Sequence, residues 1–169
     1  MIKYFFVTIG ILMGFALFES AILSNILFLP AIPDFILLCV LYISFTHGRA
    51  IGVTSGFFSG MIIDFFSGCP FGLNCLLRTV IGYASGFFYK TFNTSGIFLP
   101  VVIAFLGTIV KFLFQSFISF FYPNIVNSQS IFSFLFLSEL VMNMVFAPII
   151  FKFLAVFDSI YPDMDRSML

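Results

Sequence analysis

Residues 49–90 read RAIGVTSGFFSGMIIDFFSGCPFGLNCLLRTVIGYASGFFYK, two apolar runs hinged at Ser67-Gly68-Cys69-Pro70. In the first run Gly52, Gly56, Gly60 and Asp64 recur at steps of four; in the second, Arg78, Gly82, Gly86 and Lys90 do the same. Steps of four keep residues near one face of an α-helix, so each run presents glycines along one side. The hinge is short, which makes the two helices antiparallel neighbours. Glycines on facing helices let backbones approach closely where lipid removes the hydrophobic drive to associate. Counted from Cys69, Asp64 lies five residues back and Arg78 nine ahead, an offset of four. That offset is about 6 Å of helix rise, within reach of an arginine side chain. The spacing predicts an Asp64–Arg78 interaction on a glycine-lined seam.

Apolar runs of this kind fill the rest of the chain. The sequence is 62% hydrophobic with 29 Phe and only 8% charged residues, and its mean hydropathy is +1.20. Too little polar surface remains for a soluble globule, and runs of about 17–25 residues match a bilayer core of roughly 30 Å. Tyr4–Leu23 reads as a first span, followed by Ser24-Asn25, Pro30 and Pro33. Pro33-Asp34 opens a shorter second span to about Thr46; proline suits a helix's first turn, and aspartate meets the positive end of its dipole. His47-Gly48-Arg49 is a tight turn, Ile51–Phe66 the third span and Phe71–Tyr89 the fourth. A polar linker (90–96), a fifth span from Ile97 to about Phe121, a loop (122–130) and a sixth span from Ile131 to about Phe157 complete the pattern. The sequence thus predicts an all-α integral membrane protein with a six-helix transmembrane domain over 1–157 and a short cytoplasmic tail over 158–169.

Charge tests this division. Lys3, Arg49, Lys90, Lys152 and Arg166 all fall on one side of the six-pass ladder, and the opposite segments 24–33, 67–71 and 122–130 contain no Lys or Arg. Positive residues stay cytoplasmic, so both termini are expected inside. No small-x-small cleavage site follows the first run cleanly, and removing that run would break the charge parity, so it is read as a retained span. The formal net charge is zero and no basic patch exists for nucleic acid. The spacing of Cys39, Cys69 and Cys75 fits no metal motif, and each reads as a small buried hydrophobe.

Two charges fall inside the last hairpin. Lys111 and Glu139 are nearly equidistant from the middle of the 122–130 loop and so share a depth. Gly107, Gln115 and Ser119 continue a polar stripe with Lys111, and Asn143 does so with Glu139. A charge facing lipid near the bilayer centre is disfavoured by at least about 2.5 kcal/mol, so these residues pair or line a wet cavity. A register-fixing pair and a ligand or partner contact both fit. Glu19, near the outer end of the first span, has no evident local partner. No paired-histidine metal motif, Gly-x-Ser-x-Gly or phosphate-binding Gly-rich loop occurs, and His47 is the only histidine. Catalysis is the weakest class of function, and no cofactor is expected.

The run Gly60-x3-Asp64-x2-Ser67-Gly68-x-Pro70-x-Gly72-Leu73, continuing to Gly82-Tyr83-x2-Gly86, resembles the rod shape-determining MreD family. So does Pro33-Asp34 ahead of an aliphatic second span ending near a Gly-Arg turn. The resemblance covers about residues 4–157. It implies a non-enzymatic part of the bacterial elongation machinery (the elongasome of peptidoglycan synthesis), in the cytoplasmic membrane with the single-pass periplasmic protein MreC. The pair would link the actin-like MreB filament to the RodA glycosyltransferase and its partner transpeptidase. It also implies a fold similar to the six-helix substrate-binding subunits of energy-coupling-factor vitamin transporters. Its motif positions are Pro33, Asp34, Gly60, Asp64, Ser67, Gly68, Pro70, Gly72 and Leu73, expected to build hairpin ends and a packing groove. The glycines either pack within the chain or receive a partner's helix.

A vitamin-binding transporter subunit is the alternative, since it shares length, pass number and fold. Gly10-x3-Gly14 in the first span would then face the coupling subunit, although Ala-x3-Ala is the pattern such a face would carry. A third reading is a membrane enzyme or flippase acting on a lipid-linked precursor through Lys111, Glu139 and Glu19.

Overall fold

The computed structural model describes residues 2–21, 31–67, 71–89, 91, 96–121 and 133–157. These residues form six helices and no strand: α1 (Ile2–Ala21), α2 (Phe35–His47), α3 (Arg49–Ser67), α4 (Leu73–Gly86), α5 (Phe98–Phe121) and α6 (Phe134–Ala155). Two of them, α5 and α6, are long and apolar enough to cross a bilayer on their own. The tail 158–169 and the segments 22–30, 92–95 and 122–132 lie outside the described residues, as do Gly68, Cys69, Pro70 and Lys90.

The molecule is organised around α2. Its sequence, FILLCVLYISFTH, carries no polar stripe, and a helix apolar on every side must be buried on every side. Phe35 to Ser44 are all buried, and α2 packs against α1, α3, α4, α5 and α6. Its 13 residues rise only about 20 Å, short of a hydrocarbon core of roughly 30 Å. Asp34 caps its start by accepting from the Leu37 backbone N–H at 2.8 Å. At the other end Gly48 adopts φ +85°, a conformation side chains rarely tolerate, and α3 starts at the next residue.

Helices α3 and α4 meet backbone to backbone. A Cβ added at Gly52 would lie 2.5 Å from the Gly82 carbonyl oxygen and 2.6 Å from Ser44 Oγ. One at Gly56 would strike the Arg78 carbonyl, one at Gly60 the backbone of Asn74 and Cys75, and one at Gly82 the Gly52 carbonyl. At Gly86 the obstacle is Arg49 Cα, 2.6 Å away. The glycine faces of these two helices are therefore occupied by each other, leaving no room there for a partner's helix. Gly10 and Gly14 of α1 differ: a Cβ at either would meet nothing within 4 Å.

The last hairpin packs α5 on α6, with the Phe112 and Phe136 rings 4.3 Å apart between centroids. Gly107 of α5 admits Leu41 of the central helix, whose Cδ1 would lie 2.5 Å from an added Cβ. The far sides of the hairpin expose Leu106, Val110, Leu113 and Phe117 on α5, and Val141, Val145 and Ile149 on α6. A continuous apolar surface of this extent needs a non-aqueous neighbour.

Candidate functional site

Asp34 is the centre of the polar interior. It follows Pro33 at the α2 cap and is only 3% exposed. Its Oδ1 accepts from Leu37 N and from Arg78 Nη2, both at 2.8 Å. Its Oδ2 accepts from Arg78 Nη2 and from Lys111 Nζ, both at 2.7 Å. Lys111 Nζ also donates to Glu139 Oε1 at 2.6 Å. The Asp34 backbone N–H donates to Asn143 Oδ1 at 2.8 Å, and Asn143 Nδ2 donates onward to Thr108 Oγ1 at 3.0 Å. One residue thereby ties α2 to α4, α5 and α6.

Two cations and two anions alternate through this network. Charge-assisted bonds are short and strong, but burying their members is costly unless each charge finds its opposite. The side chains of Arg78 and Asp34 are 3% and 5% exposed, whereas Lys111 and Glu139 are 15% and 21% exposed. The Asp34–Arg78 half of the network is thus the deeper one. Glu19 of α1 has a buried Oε2 with no hydrogen-bond partner among the described residues.

Asp64 and Arg78 do not interact as the hairpin spacing predicts. Asp64 turns to the start of α4 and accepts from the backbone N–H groups of Gly72, Asn74 and Cys75 at 2.9, 3.1 and 3.2 Å. Asn74 Nδ2 adds a fourth bond at 2.9 Å. The first N–H groups of a helix have no intrahelical acceptor and attract negative charge, so they take the carboxylate before a more distant guanidinium does. The Gly72 cap has φ +96° and no capping side chain of its own, and Asp64 fills that role from across the hairpin. Arg78 instead presents its backbone to Gly56 and sends its side chain to Asp34.

The other expected positions divide by place. Gly52, Gly56, Gly60, Gly82 and Gly86 line the α3–α4 seam, Pro33 is fully buried beside Asp34, and Leu73 opens α4. Ser67 ends α3, while Gly68 and Pro70 lie outside the described residues. Asn143 bonds Asp34 and Thr108. Sequence reasoning missed Asp34 as a partner of Arg78 and Lys111. The available signal was length: a second span too short to cross the bilayer begins at depth, where its cap must meet a cation.

No cluster of three or more His, Cys, Asp or Glu suited to a metal ion occurs among the described residues. An apolar groove of about 330 Å³ lies between α1 and α6, lined by Ile11, Gly14, Phe15, Phe18, Phe153 and Phe157. Another of about 350 Å³ is bounded by Val101, Val141, Met144, Val145 and Pro148. Neither groove reaches a charged side chain.

Helices of this composition, with an ion-paired interior and an apolar exterior, define an all-helical membrane protein. The family model of the rod shape-determining protein MreD matches residues 1–157, and the chain belongs to that family. Its role therefore lies in determining rod cell shape, as a structural member of the shape-determining complex. No curated protein and no solved structure matches the chain.

Proposed function

We propose that this chain is a six-pass protein of the bacterial cytoplasmic membrane, with both termini inside, and a non-enzymatic scaffold of the cell-elongation complex. It binds MreC and links the MreB filament to RodA and its partner transpeptidase during peptidoglycan synthesis. The observation that carries this reading is the family match across the whole helical region. The one-sided placement of Lys3, Arg49, Lys90, Lys152 and Arg166 supports the orientation. The chain's own donors fill both carboxylate oxygens of Asp34, which suits a network that holds helices in place rather than one awaiting a substrate.

Isolation of the tagged full-length chain from native membranes in mild detergent tests the proposal. MreC, RodA or the transpeptidase should co-purify. Recovery of paired ATPases with a coupling subunit would overturn it in favour of a vitamin-transporter subunit, and the polar residues would then become candidate vitamin contacts.

A further inference from the structure

Around α2, helices α1 and α3, α3 and α4, α4 and α5, and α5 and α6 pack in turn, whereas an apolar groove of about 330 Å³ lies between α1 and α6. Phe15 and Phe18 on its α1 side pack on Phe35 of α2, with ring centroids 6.2 and 6.1 Å apart, and Phe146 of α6 meets Phe35 at 5.2 Å. Gly14 also lines the groove, and a Cβ there would meet nothing within 4 Å, so the chain leaves that space unfilled.

The α6 wall of the groove carries a charge further along. Glu139, Phe146 and Phe153 recur at steps of seven, with Phe157 four residues on, which sets them in one row along the helix. Phe153 and Phe157 line the groove, and Glu139 stands at the other end of the row, 14 residues and about 21 Å of helix rise from Phe153. Its side chain is 21% exposed, and among the described residues its carboxylate has one donor, Lys111 Nζ on Oε1.

We infer that this row, together with the α1 face bearing Gly14, is the docking surface for a single transmembrane helix of a partner protein, apolar along the groove and carrying a hydrogen-bond donor that meets Glu139. The inference rests on the scaffold reading for there being a partner, and adds where that partner sits. A carboxylate only accepts, so its complement is a donor: a hydroxyl, an amide or a cation. In hydrocarbon no water fills an open acceptor, which leaves that task to a protein side chain. Length selects a helix over a lipid. From Glu139 to Phe157 the row rises about 27 Å, close to the roughly 30 Å of a bilayer core, whereas an acyl chain fills one leaflet. An unfilled glycine lets the incoming backbone approach closely.

Photo-crosslinking of the full-length tagged chain in native membranes tests it. A benzophenone amino acid is placed at Ile11 or Phe153 in the groove, or at the exposed Val110 on the far face of α5 as a control. Both groove positions should capture the same transmembrane segment of one other protein, with a donor side chain about 14 residues along it from the Phe153 crosslink, and Val110 should not. Gly14→Leu should fill the groove and lower recovery of that protein at least about tenfold, with thermal unfolding of the purified variant no earlier than wild type. Crosslinks to lipid alone, to a second copy of this chain or to a segment without a donor would overturn the inference, as would equal capture at Val110. If Gly14→Leu fails to fold, the crosslinks in the otherwise unsubstituted chain decide. Elongation proteins that co-purify undiminished with folded Gly14→Leu would overturn this surface and leave the scaffold role standing. A captured helix from a protein outside that machinery would do the reverse.

Discussion

Replacing Asp34 by Asn keeps the shape, removes one negative charge and turns the Oδ2 acceptor of Arg78 and Lys111 into a donor, which makes it the sharpest perturbation of the interior. Asparagine keeps the shape and can still accept from the Leu37 N–H, so the α2 cap survives. Lys111 keeps Glu139 at 2.6 Å on the partly exposed side of the network. Arg78 fares worse. Its Nη2 loses the Oδ2 acceptor and keeps only an uncharged amide oxygen, its Nε and Nη1 have no hydrogen-bond partner to begin with, and the residue is 3% exposed. Stranding one member of a buried ion pair costs about 3–5 kcal/mol, whereas replacing both members with well-packed neutral groups is often close to neutral. Asp34→Asn should therefore lose about 3–5 kcal/mol, and Asp34→Asn with Arg78→Met should recover most of it. Reversible SDS-induced unfolding of the purified chain in mixed micelles, followed by circular dichroism, measures both. A single variant within about 1 kcal/mol of wild type, the level of an exposed pair, would refute the reasoning. So would a double variant no more stable than the single one.

Other consequences follow from the seam and the hairpin. Gly56→Ala drives a methyl group into the Arg78 carbonyl and should destabilise by about 1–3 kcal/mol or abolish folding; Gly10→Ala, in open space on α1, should be neutral or gain up to about 1 kcal/mol. Thermal unfolding of the two variants side by side checks this, and equal effects would contradict the backbone contact. Asp64→Ala leaves the Gly72, Asn74 and Cys75 N–H groups without their acceptor and should cost about 0.5–2 kcal/mol. Hydrogen exchange should quicken at those amides while the α2 amides stay protected; unchanged exchange at the α4 start would count against the cap.

The parts of this protein legible in its sequence are those set by local spacing. Glycines four apart on both sides of a short hinge foretell the α3–α4 seam, because helical periodicity and a tight turn leave few other arrangements. Lys111 and Glu139 were legible as depth-matched charges for the same reason: one loop separates them, and helix rise is constant. The Asp34 network was not legible, since its bonds span 44 and 77 residues of sequence. Pro33-Asp34 reads correctly as a helix start, but its depth depends on how the other helices surround α2. The Asp64–Arg78 expectation failed by a neighbouring cause. Rise alone placed a cation within reach, while the unpaired amides opening α4 stood nearer. Intramembrane charge pairing thus needs an inventory of exposed backbone donors as well as of opposite charges.

The most direct measurement is whether the double variant that lacks the Asp34–Arg78 ion pair, Asp34→Asn with Arg78→Met, supports rod shape in a rod-shaped bacterium depleted of its own copy. Membrane abundance and co-purification with the shape-determining complex are followed in the same cells. If the network serves to hold the scaffold together, the variant accumulates normally, retains its partners and the cells remain rods. Round cells despite normal abundance and intact assembly would contradict the scaffold reading, because the charges would then be doing something other than holding the helices together.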